Sequence, residues 1–154
     1  LIILDADLTT PPEDLTRFVD ALVAESGEFI NRVRLVYPVE GQSMRFLNMV
    51  ANKFFGLLFS WIIGQPVKDT LCGTKALWKK DYVIMEKNRL FPENTDPFGD
   101  FDLLLGAARL NLRIVDMPVR YRRRIYGKTN IKRWQHGWVL LKMAILATAR
   151  LKLK

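Results

Sequence analysis

One cysteine and one histidine are all that the 154 residues supply of two reactive residue types. Cys72 alone cannot close an internal disulfide or build a cysteine-rich zinc site, and the lone His136 argues against a histidine-based metal site or triad. No apolar run reaches the ~20 residues that a bilayer-spanning helix needs. Internal repeats and low-complexity tracts are also missing, as are an initiator methionine and a signal peptide; Leu1 already lies inside an apolar run, so the sequence reads as a fragment whose upstream part is absent. Acidic residues are outnumbered 16 to 24 by Lys and Arg, giving a net charge of +8, with much of the excess after Arg109. These shortages leave the chemistry to carboxylates and basic groups and favour anionic partners such as phosphates, nucleic acid or an acidic membrane surface. With 49% hydrophobic residues, the chain has enough apolar material for one globular core and is not a disordered polymer.

The chain is organised around its first stretch, LIILDADLTTPPEDL. Leu1 to Leu4 form an apolar run suited to a buried strand, and Asp5 and Asp7 follow at its carboxyl end, where open α/β sheets bind ligands. In an extended segment residues i and i+2 share a face, so both carboxylates can reach one hard cation, or they can simply end the strand and begin a turn. Thr10-Pro11-Pro12-Glu13 reads as a capping box with Pro at the first helical position, and Leu15, Phe18, Val19, Leu22 and Val23 recur at helical spacing up to a stop at Gly27. Phe29 to Tyr37 alternates Arg32 and Arg34 with Val33 and Leu35, predicting a strand with its basic residues on one side. A helix is predicted from Met44 to Gly64, apolar enough to be a core element or to lie against a membrane. Val67 to Lys75 reads as a polar turn, Pro92 to Gly99 as a loop, and Asp100 or a neighbour as the cap of a helix through Leu110. Ile114 to Tyr121 predicts a strand whose Pro118 implies an edge position or an interruption in its ladder, and a basic loop leads to a final helix, Trp138 to Leu151.

Three constellations can carry chemistry. Asp5 and Asp7 suit Mg²⁺ or Mn²⁺ against a diphosphate, since these ions bind through one or two carboxylates plus substrate phosphates. Asp100 and Asp102 stand at a predicted helix start, where they serve as caps, as a general base for a hydroxyl acceptor, or as both. Arg122, Arg123, Arg124 and Lys128 surround Gly127, which permits close backbone approach, and the Arg fork matches phosphate oxygens; a solvated charged face is the plainer reading. Arg45 and Lys75 are further cationic candidates.

The ordered series D-A-D, P-P-E-D, V-K-D…C-G-T-K-A, F-G-D-F-D-L-L-L-G-A-A and P-V-R-Y…R-x-x-G-K-T resembles the family 2 glycosyltransferases of the GT-A fold. Within them it is most similar to the branch of dolichyl- and polyprenyl-phosphate hexosyltransferases. The resemblance covers Leu1 to about Trp138. It implies an α/β, Rossmann-like sheet of which only the C-terminal portion is present, over residues 1–134, with a basic amphipathic helix over 135–154. It further implies metal-assisted, inverting transfer of a hexosyl group from a UDP- or GDP-sugar to a lipid phosphate. Asp5 and Asp7 match the metal-holding D-x-D; Asp69 and Gly73 match a D…G segment, with Lys75 where relatives often carry Arg. Asp102 matches the family's acidic segment, with Asp100 as its rival, while Arg124, Gly127 and Lys128 match a phosphate-contacting loop. A peripheral location on the cytoplasmic face of a membrane follows, with no nucleic-acid partner, and the fragment alone is expected to be inactive. Thr9, Leu104 and the Asn31-Arg32-Val33-Arg34 segment depart from the family's usual Gln, Glu and G-S-R.

Two other readings use the same residues. D-A-D-L-T also fits the D-x-D-x-T signature of haloacid-dehalogenase-type phosphatases, which calls for a later Lys and an acidic pair at the end of a strand. A basic loop flanked by Tyr121, Tyr126 and Trp134 suits a binding module for nucleic acid or an acidic membrane, though it leaves Asp5 and Asp7 without a role.

Overall fold

Short β-prone segments alternate with longer amphipathic ones, and this chain resolves that pattern into a mixed sheet covered by helices. The structure is a computed structural model that describes residues 1–5, 10–34, 46–92, 96, 99–119 and 133–152. Among the described residues four strands, β1 (Ile2–Ile3), β2 (Phe29–Val33), β3 (Lys75–Leu77) and β4 (Ile114–Pro118), line up in the order β1-β3-β2-β4. The helices are α1 (Leu15–Val23), α2 (Phe46–Ile63), α3 (Lys79–Lys87), α4 (Asp100–Arg109) and α5 (Arg133–Leu151). β3 runs antiparallel to both β1 and β2, with Lys75 opposite Ile3 on one side and Asn31 on the other, whereas β4 lies parallel to β2.

Successive strand residues point to opposite faces, and the core divides accordingly. Phe29, Leu77 and Ile114 pack with Met85 and Leu104 of α3 and α4, while Ile30 and Ala76 pack on the other face with Phe18, Ala21 and Leu22 of α1. A third cluster joins α2, α4 and α5: Phe55, Phe59 and Ile62 meet Phe101, Leu105, Leu140, Met143 and Ala147. Phe101 is its hinge pin, fully buried, with ring centroids 5.6 Å from Phe55 and 4.1 Å from Phe59.

Several local expectations change in this context. The capping box does not form: Pro11 is extended, as a residue before proline prefers, Pro12–Asp14 make a 3₁₀ turn, and α1 begins only at Leu15. Thr10 is buried instead, its hydroxyl 2.9 Å from that of Thr74. α1 ends at Val23, with Glu25 at φ 53°; Gly27 is needed for packing, because a Cβ there would stand 2.6 Å from Val115 Cγ2. β2 is an interior strand. It lies between β3 and β4, every residue of it is buried, and that includes Arg32. Residues 35–37 of the expected strand lie outside the described residues. β3 and α3 fall where no regular element was expected after the turn, and α5 begins at Arg133, five residues ahead of Trp138. Pro118 does end a strand that, among the described residues, pairs only with β2.

Truncating Phe101 to Ala is expected to cost about 3–5 kcal/mol, since the cavity would open where three helices meet. A urea titration of the full-length Phe101→Ala protein reads this directly, and an unchanged midpoint would show that the helical cluster does not hold the fold.

Candidate functional site

The antiparallel course of β3 sets its beginning beside the ends of β1 and β2. Continuing the β1–β3 register by two residues puts Gly73 opposite Asp5. The contact is close, for a methyl group on Gly73 would overlap Asp5 Oδ1, so a residue with no side chain is required there. The half-exposed Asp5 carboxylate lies 3.9 Å from Arg32 Nη1, a guanidinium with no solvent exposure on β2.

Beneath it sits a second pair. Lys75 Nζ, fully buried, donates to Asp100 Oδ1 at 2.6 Å and also to the Cys72 carbonyl. Burial pushes the Asp100 carboxyl up, Lys75 pulls it back, and the nearby Asp5 and Asp96 carboxylates add to the upward push. Asp5, Arg32, Lys75 and Asp100 therefore form one electrostatic group at a single end of the sheet.

Asp69 is held still more firmly. Its carboxylate accepts from Arg34 Nε at 2.7 Å, Arg34 Nη2 at 2.9 Å, Asn52 Nδ2 at 2.6 Å and the Leu71 amide at 3.2 Å. Burial alone would raise its pKa, but the Arg34 charge and the Arg34 and Asn52 hydrogen bonds prevail and hold it below the usual carboxylate range. Asn31 ties this turn to the sheet, donating to the Asp69 carbonyl at 2.9 Å and to Asp116 Oδ1 at 2.9 Å. α2 braces it from the other side: Ser60 Oγ accepts the Val67 amide at 2.8 Å, and Gly56 lets the Val67 and Lys68 carbonyls approach. Asp69 and Lys75 thus stand behind the sheet end as its scaffold, with their polar atoms already engaged.

Asp100 and Asp102 part company. Two positions on a helix differ by about 200° around its axis, so they cannot face one site. Asp100 turns to Lys75; Asp102 turns to Arg89 of the segment after α3, with Asp102 Oδ2 3.7 Å from Arg89 Nε. There it borders a cavity of about 160 Å³ between α3 and α4, which Tyr82, Glu86, Arg89 and Asp96 share. Burial raises the Asp102 pKa, Arg89 lowers it, and Asp96 and Glu86 raise it further. Neither acid caps α4. Asp96 does so, its Oδ2 accepting the amides of Phe101 at 2.7 Å and Asp102 at 3.0 Å, while the N-cap position itself is Gly99 at φ 74°.

Asp7, Arg45, Arg124, Gly127 and Lys128 lie outside the described residues. Among the described residues no group of three or more metal-ligating side chains gathers. Asp5 alone fits only an ion that takes most of its oxygens from elsewhere, as Mg²⁺ and Mn²⁺ do when a diphosphate and water complete the shell. Arg32, Asn52 and Asp96 were missed by the sequence reading. In the sequence Arg32 is one of two basic residues on one side of a strand, and Asp96 is one polar residue in a loop.

No family profile matches the chain. Two curated proteins of Haloferax volcanii are similar to it. One, a dolichyl-phosphate hexose transferase, is 28% identical over 137 residues, or 89% of this chain and 56% of that protein. The other, glycosyltransferase AglJ, is 25% identical over 142 residues, or 91% of this chain and 44% of that protein. The chain therefore spans about half the length of the curated relatives it matches, and the two names support a glycosyltransferase family for it.

Acid stability tests the Asp69 hub. Because its folded pKa is depressed, its contribution is complete above the unfolded value near 3.9 and is lost as pH falls through the folded value. Asp69→Asn is expected to cost about 3 kcal/mol at neutral pH, with the deficit shrinking as pH falls below about 4. Urea midpoints measured across that range check it, and a deficit that stays constant would mean that Asp69 does not act through its charge.

Proposed function

We propose that this chain builds part of the active site of a family 2 glycosyltransferase of the GT-A fold, which moves a hexosyl group from a UDP- or GDP-sugar to a lipid phosphate. The observation that carries the reading is the meeting of Asp5, at the end of β1, with Arg32 and the Lys75–Asp100 pair, at the end of a sheet where α/β domains bind ligands. The name of one relative, dolichyl-phosphate hexose transferase, supports transfer of a hexose onto a dolichyl-phosphate-like acceptor. The mixed sheet, with one antiparallel strand between its neighbours, is compatible with a Rossmann-like transferase domain.

In this proposal Asp5, with Asp7, would hold Mg²⁺ or Mn²⁺, and such an ion when bound neutralises charge on the departing nucleoside diphosphate. Arg32 lies 3.9 Å from the Asp5 carboxylate and places a positive charge beside it. Lys75 neutralises Asp100, so that the floor of the site carries no excess negative charge where a diphosphate must sit. Arg45, Arg124 and Lys128, with Gly127 allowing close approach, hold donor or acceptor phosphate. A phosphate acceptor is already anionic near neutral pH and needs no general base. Asp102, half-buried and facing its own cavity, is the carboxylate available should the acceptor be a hydroxyl.

The phosphatase alternative asks for an acidic pair at the end of a strand. Asp100 and Asp102 instead open a helix and diverge, which removes the geometric support for that chemistry.

In the full-length protein, Asp7→Ala or Asp5→Asn is expected to lower Mn²⁺-dependent hexosyl transfer by about 100-fold or more. Asp102→Asn is expected to leave transfer to polyprenyl phosphate nearly intact. Radiolabelled nucleotide sugar with extraction of the lipid product measures both. Normal transfer by the Asp7→Ala protein would defeat the metal role, and collapse of transfer in a folded Asp102→Asn protein would point to a hydroxyl acceptor.

A further inference from the structure

The far end of α4 carries a second concentration of charge. Arg109 closes the helix that Asp100 opens, about 14 Å further along its axis, so what Arg109 touches lies well away from the Asp5 site. There the last residues of α2, α4 and α5 border a cavity of about 480 Å³. Ile62 and Leu90 are among its apolar lining, and its polar lining is Arg109, Asn111, Arg150 and Lys152. No carboxylate of the described residues lines it.

Cations near helix C-termini are favoured by the helix dipole, and Asn111, at φ 55°, is the left-handed stop after α4. The dipole does not explain where the two arginines reach. Arg109 Nη1 donates at 2.8 Å to the Asn88 carbonyl, and Arg150 Nη1 donates to that of Leu90, so guanidinium groups from two helices converge on the segment 88–90. Phe91 supports the second, its ring centre 5.6 Å from Arg150 Cζ, and Trp61 supports Lys152 Nζ in the same way at 5.8 Å. Each arginine is thereby oriented through one nitrogen, which leaves its other N–H groups for further acceptors. Among the described residues none of these three cations pairs with a carboxylate. Oriented guanidinium forks without a counter-ion are recognition elements for phosphate. Arg89, between the two carbonyls, turns the other way to Glu86 and Asp102, and Leu90 lines both this cavity and the one that Asp102 borders.

We infer that this cavity is a second ligand site, for a small soluble phosphate compound of about nucleotide size. Arg109, Arg150 and Lys152 take its phosphates, and Ile62 and Leu90 take its apolar body. The volume falls within the range of about 300–1,000 Å³ usual for small-molecule sites, several times what a bare phosphate needs. The site goes beyond the proposed transfer reaction, whose described residues Asp5, Arg32, Lys75 and Asp100 stand at the other end of α4, and it does not depend on that reaction.

Isothermal titration of the full-length protein with ADP and with pyrophosphate, in EDTA and without nucleotide sugar, tests the site apart from any metal-dependent one. ADP is expected to bind with a dissociation constant below about 1 mM, several-fold tighter than pyrophosphate because adenosine adds apolar contact. The Arg109→Gln/Lys152→Gln protein should bind ADP about tenfold or more weakly. Lys80→Gln, which removes an exposed charge from α3, should bind as the parent does. Because Arg109 also holds the segment 88–90, Lys152→Gln alone serves as the second variant: its unfolding temperature should match the parent's while ADP binding falls about threefold. No ADP binding by the parent, undiminished binding by both cavity variants, or an equal loss in Lys80→Gln would overturn the inference, the last because only overall charge would then matter. Pyrophosphate binding as tight as that of ADP would overturn the assignment of an apolar body to the ligand. Flotation with phosphatidylglycerol vesicles separates a free ligand from a lipid headgroup: the double variant should float as the parent does, and lost flotation would overturn the assignment to a soluble compound.

Discussion

A strand of three residues governs the arrangement. β3 enters between β1 and β2 and runs against both, so its first residues lie at the same sheet end as the last residues of its two neighbours. The polar cluster around Asp5 follows from that reversal. Gly73 meets Asp5, Lys75 drops beneath the sheet end to Asp100, and the turn before β3 carries Asp69 within reach of Arg34. Had β3 been parallel, its beginning would lie at the far end of the sheet and the site would not assemble.

Charge bookkeeping at that end is local even though the chain as a whole is basic. Arg32 pairs with Asp5, Arg34 with Asp69 and Lys75 with Asp100, so each buried or nearly buried cation has a carboxylate beside it. Burying either partner alone would cost several kcal/mol, while the hydrogen-bonded pair is tolerated. In the sequence, the excess positive charge lies beyond Asp116, the basic residues of α5 included.

The helices divide their labour in a similar way. α4 uses its buried face to anchor the core through Phe101 and its first residue to close the ion pair under the site, which couples the packing of α2 and α5 to the position of Asp100. α2 likewise serves the site through Asn52, Gly56 and Ser60 on its inner side while presenting an apolar stripe outward. A change in the helical layer therefore reaches the carboxylates through two short, rigid connections.

Much of this could be read from the residues in order. The long apolar helix up to Gly64, the helix from Asp100 and the proline-limited strand before Val119 are legible, because hydrophobic periodicity and Gly and Pro placement are local properties, whereas the first apolar run, read as a buried strand, becomes a two-residue β1 that among the described residues pairs only with β3 and leaves Leu1, Ile2 and Leu4 exposed. The likeness to hexosyltransferases also lay in the ordered motifs. Tertiary structure alone decided that Arg32 is buried against Asp5, that Asp96 caps α4, that Thr10 turns to Thr74 and leaves its helix uncapped, and that Asp100 and Asp102 serve different places. The physical reason is the same each time. Sequence spacing says what a residue is near along the chain, but which buried charge a carboxylate must answer depends on the strand inserted beside it.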